Sequence, residues 1–158
     1  RALLDLIYRS THILPEEIIE RFSQEPDRIR AEIVDMMESN AISFERLERD
    51  ESPLVRAALV RRVAKDSEAP SEIIVRALHD KDVQVLSDAA RAAHRRQCEE
   101  SIPRLAELIL HQDGTVALRA LYALSKLKPT LARTLIQKHQ LTESTHIHLS
   151  LFAQRLAE

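Results

Sequence analysis

Residues 50–63 read DESPLVRAALVRRV, and this stretch decides the fold. Counting from Val55, aliphatic residues follow at the fourth, fifth and eighth places. These places lie on one stripe of a helix with about 3.6 residues per turn, so the helix can bury one face. Proline at the first helical position loses no hydrogen bond, which makes Pro53 the expected start. The stretch therefore predicts an amphipathic helix.

The same pattern of small or aliphatic residues occurs five times along the chain. Its copies begin at Ile29, Val55, Val85, Val116 and Ile147, at intervals of 26, 30, 31 and 31 residues. Aspartate or proline stands just ahead of most copies, as is typical of helix starts. Self-similarity with a period of about 20 to 50 residues indicates stacked supersecondary units rather than one globular core.

Shorter helical patterns lie between the copies. They begin at Ser71, Ser101 and Pro129, and a weaker one covers residues 42–47. Residues 2–8 and 15–22 form a further candidate pair ahead of the first copy. The sequence therefore predicts an all-α fold of about five helix pairs in series, with a lone final helix.

One of the copies resembles a known family. Asp50, Pro53, Val55 and Arg56, followed by small residues on an antiparallel helix pair, look like the short HEAT-like (armadillo-type) helical repeat. The resemblance covers the chain from about residue 26 to the C-terminus. It implies a right-handed α-solenoid. Members of this family are scaffolds, transport factors and a few enzymes, so the resemblance alone selects no function.

The resemblance also implies a ladder of Asp-to-Arg contacts between neighbouring repeats. We expect this ladder at Asp50 and Arg56. The third copy has Leu86 at the arginine position, and the nearest arginine of the fourth copy is Arg119. The ladder is therefore expected in the early repeats rather than along the whole chain.

Composition agrees with an array of helices. The 158 residues include one Gly, no Trp and 3% aromatic residues, which leaves little material for hairpin turns or strand cores. The chain is 44% apolar and 30% charged, and no apolar run approaches the roughly 20 residues that span a bilayer. We expect one HEAT-like domain over residues 1–158, irregular and acidic over 1–50 and regular over 51–158. Because the chain opens at Arg1 without Met, we expect it to be a piece of a longer protein.

Cysteine and histidine offer little evidence of a metal site. The single Cys98 has no partner for an internal disulfide, which favours a reducing compartment and predicts a cytoplasmic protein. His94 precedes Cys98 by four residues, which could place two ligands on one helix face, but a zinc site needs further ligands. The alternative is that Cys98 serves as a small apolar residue at a helix end. We expect neither a metal nor a cofactor.

Three histidines close successive second helices. His79, His111 and His139 stand where a partly cationic side chain interacts favourably with the negative end of a helix. The alternative is a functional histidine row. Capping is the preferred interpretation because the repeat itself produces the spacing.

Charge is distributed unevenly. The whole chain carries −2, but residues 1–53 hold 7 Lys/Arg and 13 Asp/Glu, whereas residues 54–158 hold 16 and 12. Several cations of the second part lie on or at the ends of the first helix of each pair, which is the convex side in HEAT-like stacks. They are Arg61, Arg62, Lys65, Arg91, Arg95, Arg96, Lys126 and Lys128. The array is therefore polarised along its length.

A second row of arginines is expected on the concave side. Arg76, Arg104 and Arg133 occupy the solvent side of the second helices at spacings of 28 and 29 residues. Such a row would face an acidic partner well. The alternative is that these arginines are merely solvated and paired with Glu72, Glu107 and their neighbours in the same helices.

These observations favour a non-catalytic scaffold that binds a protein segment through the concave surface of the second helices. The expected partner-binding residues are Glu72, Arg76, Arg104, Glu107, Arg133 and Lys138. The chain has no Gly-rich phosphate loop, no Ser-His-Asp order and no metal motif, so we assign no catalytic residue. The partner would carry an acidic segment, and the terminal helices could also join copies end to end.

The alternative function is a nucleic-acid binder or enzyme on the same scaffold. HEAT-like DNA glycosylases use a basic groove with aromatic residues, and HEAT-like bilin lyases use a groove for a tetrapyrrole. The chain has no Trp on which bases could stack, and its net negative charge is unfavourable for neutralising phosphates. No residue match supports the lyase, and nucleic acid is the disfavoured partner.

Overall fold

The computed structural model describes residues 20–37 and 42–157, and these residues are helical without a strand. Their helices are α1 (Asp27–Met36), α2 (Phe44–Glu48), α3 (Pro53–Val63), α4 (Glu72–Ala77), α5 (Val83–Arg95), α6 (Ile102–Leu108), α7 (Gly114–Leu127), α8 (Pro129–Lys138) and α9 (Ile147–Ala157). The all-α prediction is confirmed for this part of the chain. The helix pair expected ahead of the first copy lies almost wholly outside the described residues.

The helices alternate between two roles. The five that carry the repeated pattern, the first helices α1, α3, α5, α7 and α9, pack each against the next in chain order. The second helices α2, α4, α6 and α8 lie between them in the chain, and each packs against the first helix that follows it. Antiparallel neighbours joined by short loops produce this order of contacts.

Small side chains let the first helices approach one another closely. Ala58, Ala90, Ala93 and Ala120 are fully buried where α3, α5 and α7 meet. Larger buried side chains, such as Ile74 of α4, join the same cluster from the second helices. One continuous apolar core therefore runs from Phe22 to Ala153.

Short polar side chains fix where the first helices begin. Asp82 Oδ1 accepts hydrogen bonds from the backbone N–H groups of Gln84 and Val85, at 2.9 and 3.2 Å. Asp113 Oδ1 does the same for Thr115 and Val116. Such caps satisfy donors that have no partner within the helix. The expected helix-start chemistry is thus present at both copies.

The fifth copy of the pattern begins two residues later than the sequence predicts. Ile147 is 71% exposed and Leu151 is 52% exposed, whereas Leu149 and Ala153 are buried. In α3, α5 and α7 the first core residue stands two places after the helix start, and Leu149 stands two places after Ile147. The structure therefore assigns the first core position of α9 to Leu149.

The only glycine in the sequence stands where two repeats touch. A Cβ atom added to Gly114 would lie 2.8 Å from Cγ and 3.1 Å from Cβ of His146, which precedes α9. These atoms are close to the backbone, so the histidine cannot avoid them by bending its far end. Glycine is required here for close approach rather than for an unusual backbone angle.

Replacing Gly114 with alanine is therefore expected to destabilise the contact between α7 and α9. The overpacking should cost about 1 to 2 kcal/mol, reduced slightly by the higher helix propensity of alanine. Thermal unfolding measures the loss, and Thr115→Ala at the adjacent exposed position is the control. A Gly114→Ala protein at least as stable as the parent would contradict this close approach.

Candidate protein-binding surface

The six residues expected to bind a partner lie on three successive second helices. They are Glu72 and Arg76 on α4, Arg104 and Glu107 on α6, and Arg133 and Lys138 on α8. Arg104 is partly buried and the other five residues are exposed. The structure thus places the whole set on the second-helix surface, by which we mean the solvent side of α2, α4, α6 and α8.

Arg76 is held by the neighbouring second helix. Its Nε and Nη2 donate to the two carboxylate oxygens of Glu48, the last residue of α2, at 2.8 and 3.1 Å. This two-point geometry fixes the plane of the guanidinium. Glu72, the expected partner within α4, forms no ion pair with any described residue. Arg76 therefore connects α2 to α4 as well as facing solvent.

Arg104 has a similar double role. Its Nε donates to the carbonyl oxygen of Leu78 at the end of α4, at 3.1 Å. Its Nη1 pairs with Glu107 Oε2 at 2.6 Å, one turn along α6. The pairing expected within a helix is therefore present here, but the guanidinium also joins α6 to α4.

Arg133 reaches in the opposite direction along the chain. Its Nε donates to the carbonyl oxygen of Leu156 near the end of α9, at 3.1 Å. Arginine satisfies unpaired carbonyls at helix C-termini in this way. The three arginines lie on successive second helices, but the Nε of Arg76 donates to a carboxylate, whereas that of Arg104 and of Arg133 donates to a backbone carbonyl. Among the six expected residues, Glu72, Arg133 and Lys138 have no ion pair with the described part of the chain.

A groove opens on the second-helix surface between α2 and α4. Its volume is about 600 Å³, and it is lined by Glu45, Glu48, Arg49, Arg56, Leu59, Val60, Ile73, Arg76, Ala77, Asp80 and Val85. Leu59, Ile73 and Val85 give it an apolar floor, and the charged residues stand around that floor. We call this feature the α2–α4 groove. Arg76 is the one expected residue that lines it.

The carboxylates around the groove are all paired with arginine. Glu48 binds Arg76, Glu45 lies 3.0 Å from Arg49, and Asp80 lies 2.7 Å from Arg56. Each of these carboxylates is thus occupied by a contact to an arginine of the same surface. The groove is suited to binding an apolar group flanked by charge.

A buried ion pair fixes one wall of the groove. Arg56 Nε and Nη2 donate to the two oxygens of Asp80, at 2.7 and 2.9 Å, and both side chains are about one-eighth exposed. Arg56 Nη1 also donates to the carbonyl oxygens of Asp50 and Glu51. The guanidinium thus connects the loop before α3 to the loop before α5.

The same arrangement occurs one repeat earlier. Arg30 Nε and Nη2 donate to the oxygens of Asp50, at 3.1 and 2.7 Å, and its Nη1 donates to the carbonyl of Glu25. Asp50 and Arg56, where the contacts between neighbouring repeats were expected, both form such contacts. They belong to two successive contacts, because each arginine reaches the aspartate of the following repeat.

Burial and hydrogen bonding act in opposite directions on Asp80. Burial raises the pKa of its carboxyl, but the hydrogen bonds from Arg56 and from the backbone N–H of Asp82 outweigh burial and leave the pKa below its ordinary value. The pKa of Arg56 is raised, chiefly by its hydrogen bond to Asp80. Both groups are therefore ionised at neutral pH.

Both members of the ladder change together in the later repeats. The residue three places before the helix start is Asp50, Asp80, His111 and Ser144 in successive copies. In each copy its side chain accepts the backbone N–H two residues later, at 2.8 to 3.2 Å. The residue expected to face it from the previous repeat is Arg30, Arg56, Leu86 and Ala117. Arginine is thus present only where the acceptor is aspartate.

His111 belongs to the loop before α7. Its Nδ1 accepts the N–H of Asp113 at 3.0 Å, so this ring nitrogen faces that loop rather than the end of α6. The residue fills the place that aspartate occupies in the two preceding loops. This observation corrects the capping interpretation for His111.

Other chemistry is poorly represented in the described residues. They contain no group of three or more His, Cys, Asp or Glu placed to hold a metal ion. Cys98 is buried, its Sγ lies 3.5 Å from Glu100, and burial followed by this carboxylate raises the pKa of the thiol. The thiol is therefore protonated and unreactive at neutral pH.

The walls of the α2–α4 groove depend on contacts between residues that are far apart in the sequence, so local patterns did not predict the groove. Glu48 binds an arginine 28 residues later, and Asp35 binds Arg61, which lies 26 residues later. Part of the acidic charge in residues 1–53 thus neutralises basic charge in the following repeats. The uneven distribution of charge along the chain was the one feature of the sequence that could have predicted these contacts.

No helix within residues 20–37 and 42–157 is long and apolar enough to cross a membrane.

Comparison with known proteins assigns the chain to no family. No protein-family model matches the chain, and no curated protein is significantly similar to it.

Proposed function

We propose that the chain is a non-catalytic scaffold that binds a protein partner through the second-helix surface. The α2–α4 groove carries this proposal, because it combines an apolar floor with charged walls held by ion pairs. Sites with this composition suit an apolar side chain of an extended segment. Acidic residues of the segment would then face Arg104, Arg133 and Lys138.

We further propose that residues 1–158 form one right-handed HEAT-like solenoid. The alternation of first and second helices supports this architecture, as does the loop geometry repeated at Asp50, Asp80, His111 and Ser144. In such arrays each repeat contacts mainly its neighbours and presents an extended surface. The protonated Cys98 is compatible with a cytoplasmic scaffold.

Charge substitutions at exposed residues test the binding surface without disturbing the core. Arg49 stands at the rim of the groove with 78% of its side chain exposed, and Glu72 is exposed on α4. The partner is first identified by mass spectrometry after purification with the full-length protein. An Arg49→Glu, Glu72→Lys double variant should then bind that partner at least about ten-fold more weakly, because two exposed charges on neighbouring second helices are reversed and the surface no longer complements the bound segment.

The matched control is Arg155→Glu, which reverses an exposed charge on α9 away from the groove. It should bind the partner as the parent does. Unchanged affinity of the double variant, with unchanged helical circular dichroism, would contradict binding at this surface. Arg76→Glu is a poorer choice because it would place two carboxylates where Arg76 and Glu48 now pair.

A further inference from the structure

The first helices carry a second charged region, which shares no lining residue with the α2–α4 groove. Along α5 the exposed stripe includes Arg91 and Arg95, and along α7 it includes Arg119, Tyr122 and Lys126. Residues spaced by three, four or seven share one helix face, and α5 packs directly against α7. These stripes therefore lie side by side, and we call them the first-helix face.

Two adjoining cavities lie on this face. One, of about 470 Å³, is lined by Arg91, His94, Arg95, Gln97, Arg119 and Tyr122, and we call it the arginine cavity. The other, of about 230 Å³, is lined by Arg61, Ala64, Lys65, Asp88, Arg91 and Arg95. They share Arg91 and Arg95, so the two form one depression across α3, α5 and α7.

The depression carries a strong excess of positive charge. Five cationic side chains line it, and Asp88 is the one carboxylate among the lining residues. Asp88 is already bonded to Arg61 at 3.1 Å and to Arg91 at 2.6 Å. Arg95, Arg119 and Lys65 form no ion pair with any described residue. These three cations are therefore available to an external anion.

Neighbouring Arg96 shows what a structural arginine looks like in this fold. Its guanidinium donates to backbone carbonyls at the end of α3 and in the loop that follows, including those of Val63 at 2.7 Å and Ala69 at 2.9 Å. It thereby satisfies carbonyls that the helix leaves unpaired. Arg95 and Arg119 are exposed and have no comparable contact within the described chain, so both guanidiniums are free to bind a ligand.

The aromatic residues beside the cavity are already engaged. His94 packs edge-on against Tyr122 with ring centroids 5.5 Å apart, and Tyr122 lies 5.8 Å from Phe152. Lys126 Nζ lies 5.6 Å from the centroid of the Tyr122 ring. These contacts occupy the ring of Tyr122, which disfavours stacking of a nucleic-acid base on it. The ring instead forms a fixed wall of the arginine cavity.

We propose that the arginine cavity binds a phosphate monoester carried by an acidic segment of a partner protein. A phosphoserine or phosphothreonine supplies close to two negative charges and three strong acceptor oxygens. The unpaired guanidiniums of Arg95 and Arg119, with Arg91 beside them, match this charge better than they match a single carboxylate, because each offers paired N–H donors. Lys65 in the adjoining cavity would face an acidic residue next to the phosphorylated one.

This proposal does not depend on the second-helix surface. The two surfaces share no lining residue, and their ligands differ in the need for phosphate. The Arg49→Glu, Glu72→Lys variant should therefore keep the phosphate-dependent binding.

Fluorescence anisotropy with three probes tests the proposal on the 158-residue chain. The probes are an acidic dodecapeptide with one central phosphoserine, its unphosphorylated twin, and an oligothymidylate of twelve nucleotides. The phosphopeptide should bind at least about ten-fold more tightly than its twin, since charge-assisted bonds to arginine are lost without phosphate. An Arg95→Gln, Arg119→Gln variant should remove that difference, whereas Arg155→Gln should keep it.

Each contrary result has a definite meaning. Equal binding of the two peptides would overturn a phosphate site, and tighter binding of the oligothymidylate would assign the face to nucleic acid instead. A phosphate preference that survives in the Arg95→Gln, Arg119→Gln variant would place the site elsewhere. Because neither arginine pairs with a described residue, circular dichroism should be the same for the parent and the variant, which excludes unfolding as a cause.

Discussion

Replacing Asp80 with alanine is expected to lower the free energy of unfolding by about 2 to 4 kcal/mol. The substitution removes both hydrogen bonds to Arg56 and the acceptor for the N–H of Asp82. It leaves a guanidinium that is only 12% exposed without its counter-charge. Urea unfolding followed by circular dichroism measures the change.

A double-mutant cycle shows whether the loss belongs to the ion pair. Arg56→Ala and Asp80→Ala should together cost less than the sum of the single variants, since the second change removes the charge that the first left unpaired. The control is Glu45→Ala in the Arg49–Glu45 pair, where both side chains are more than 70% exposed. That substitution should cost no more than about 0.5 kcal/mol. Strict additivity in the Arg56–Asp80 cycle would contradict a coupled ladder.

The Asp80 carboxyl group also determines how the stability of the protein changes in acid. Because the folded pKa of Asp80 is lowered, its contribution to stability is present above the pKa in the unfolded chain, about 4. The contribution is lost as the pH falls through the folded pKa. The stability difference between the parent and Asp80→Ala should therefore narrow in acid and remain at neutral pH.

Replacing Leu105 with aspartate is expected to cost more than about 4 kcal/mol and to unfold α6 first. Leu105 is fully buried, and the new carboxylate would have no cation beside it in the apolar core. In a stack of repeats the loss should begin at the affected unit and its direct neighbours. Hydrogen–deuterium exchange should thus rise over α6 and α7 before it rises over α1 and α3.

Leu110 provides the control for Leu105. It lies five residues later in the same repeat but is 55% exposed, so Leu110→Asp introduces the same charge at a solvated position. We expect its thermal midpoint to stay close to that of the parent. A Leu105→Asp protein that melts like the Leu110→Asp protein would contradict the assigned core.

Periodicity located the helices because each of them buries one stripe. The starts at Pro53, Ile102 and Pro129 follow from proline and cap residues that act locally. The first core residue of the fifth copy was predicted wrongly because Ile147 and Leu149 fit the apolar pattern equally well in the sequence. Only the loop before α9, which positions Ser144, decides which of them faces the core.

The site was less accessible to sequence analysis than the fold. Arg76 is exposed and Arg104 is partly buried on their second helices, and their partners Glu48 and Leu78 lie 28 and 26 residues away in sequence. A pairing over that distance depends on how the helices pack. For the same reason the sequence indicated Asp50 and Arg56 as ladder residues but did not identify their partners, Arg30 in the preceding repeat and Asp80 in the following one.

The proposed scaffold function is tested most directly by a footprint of the bound partner. Hydrogen–deuterium exchange of the full-length protein is compared with and without the partner identified by mass spectrometry. We predict slower exchange over residues 44–49 and 72–80, which surround the α2–α4 groove, and unchanged exchange over α9. Protection restricted to other helices, with these two segments unchanged, would contradict binding at the second-helix surface.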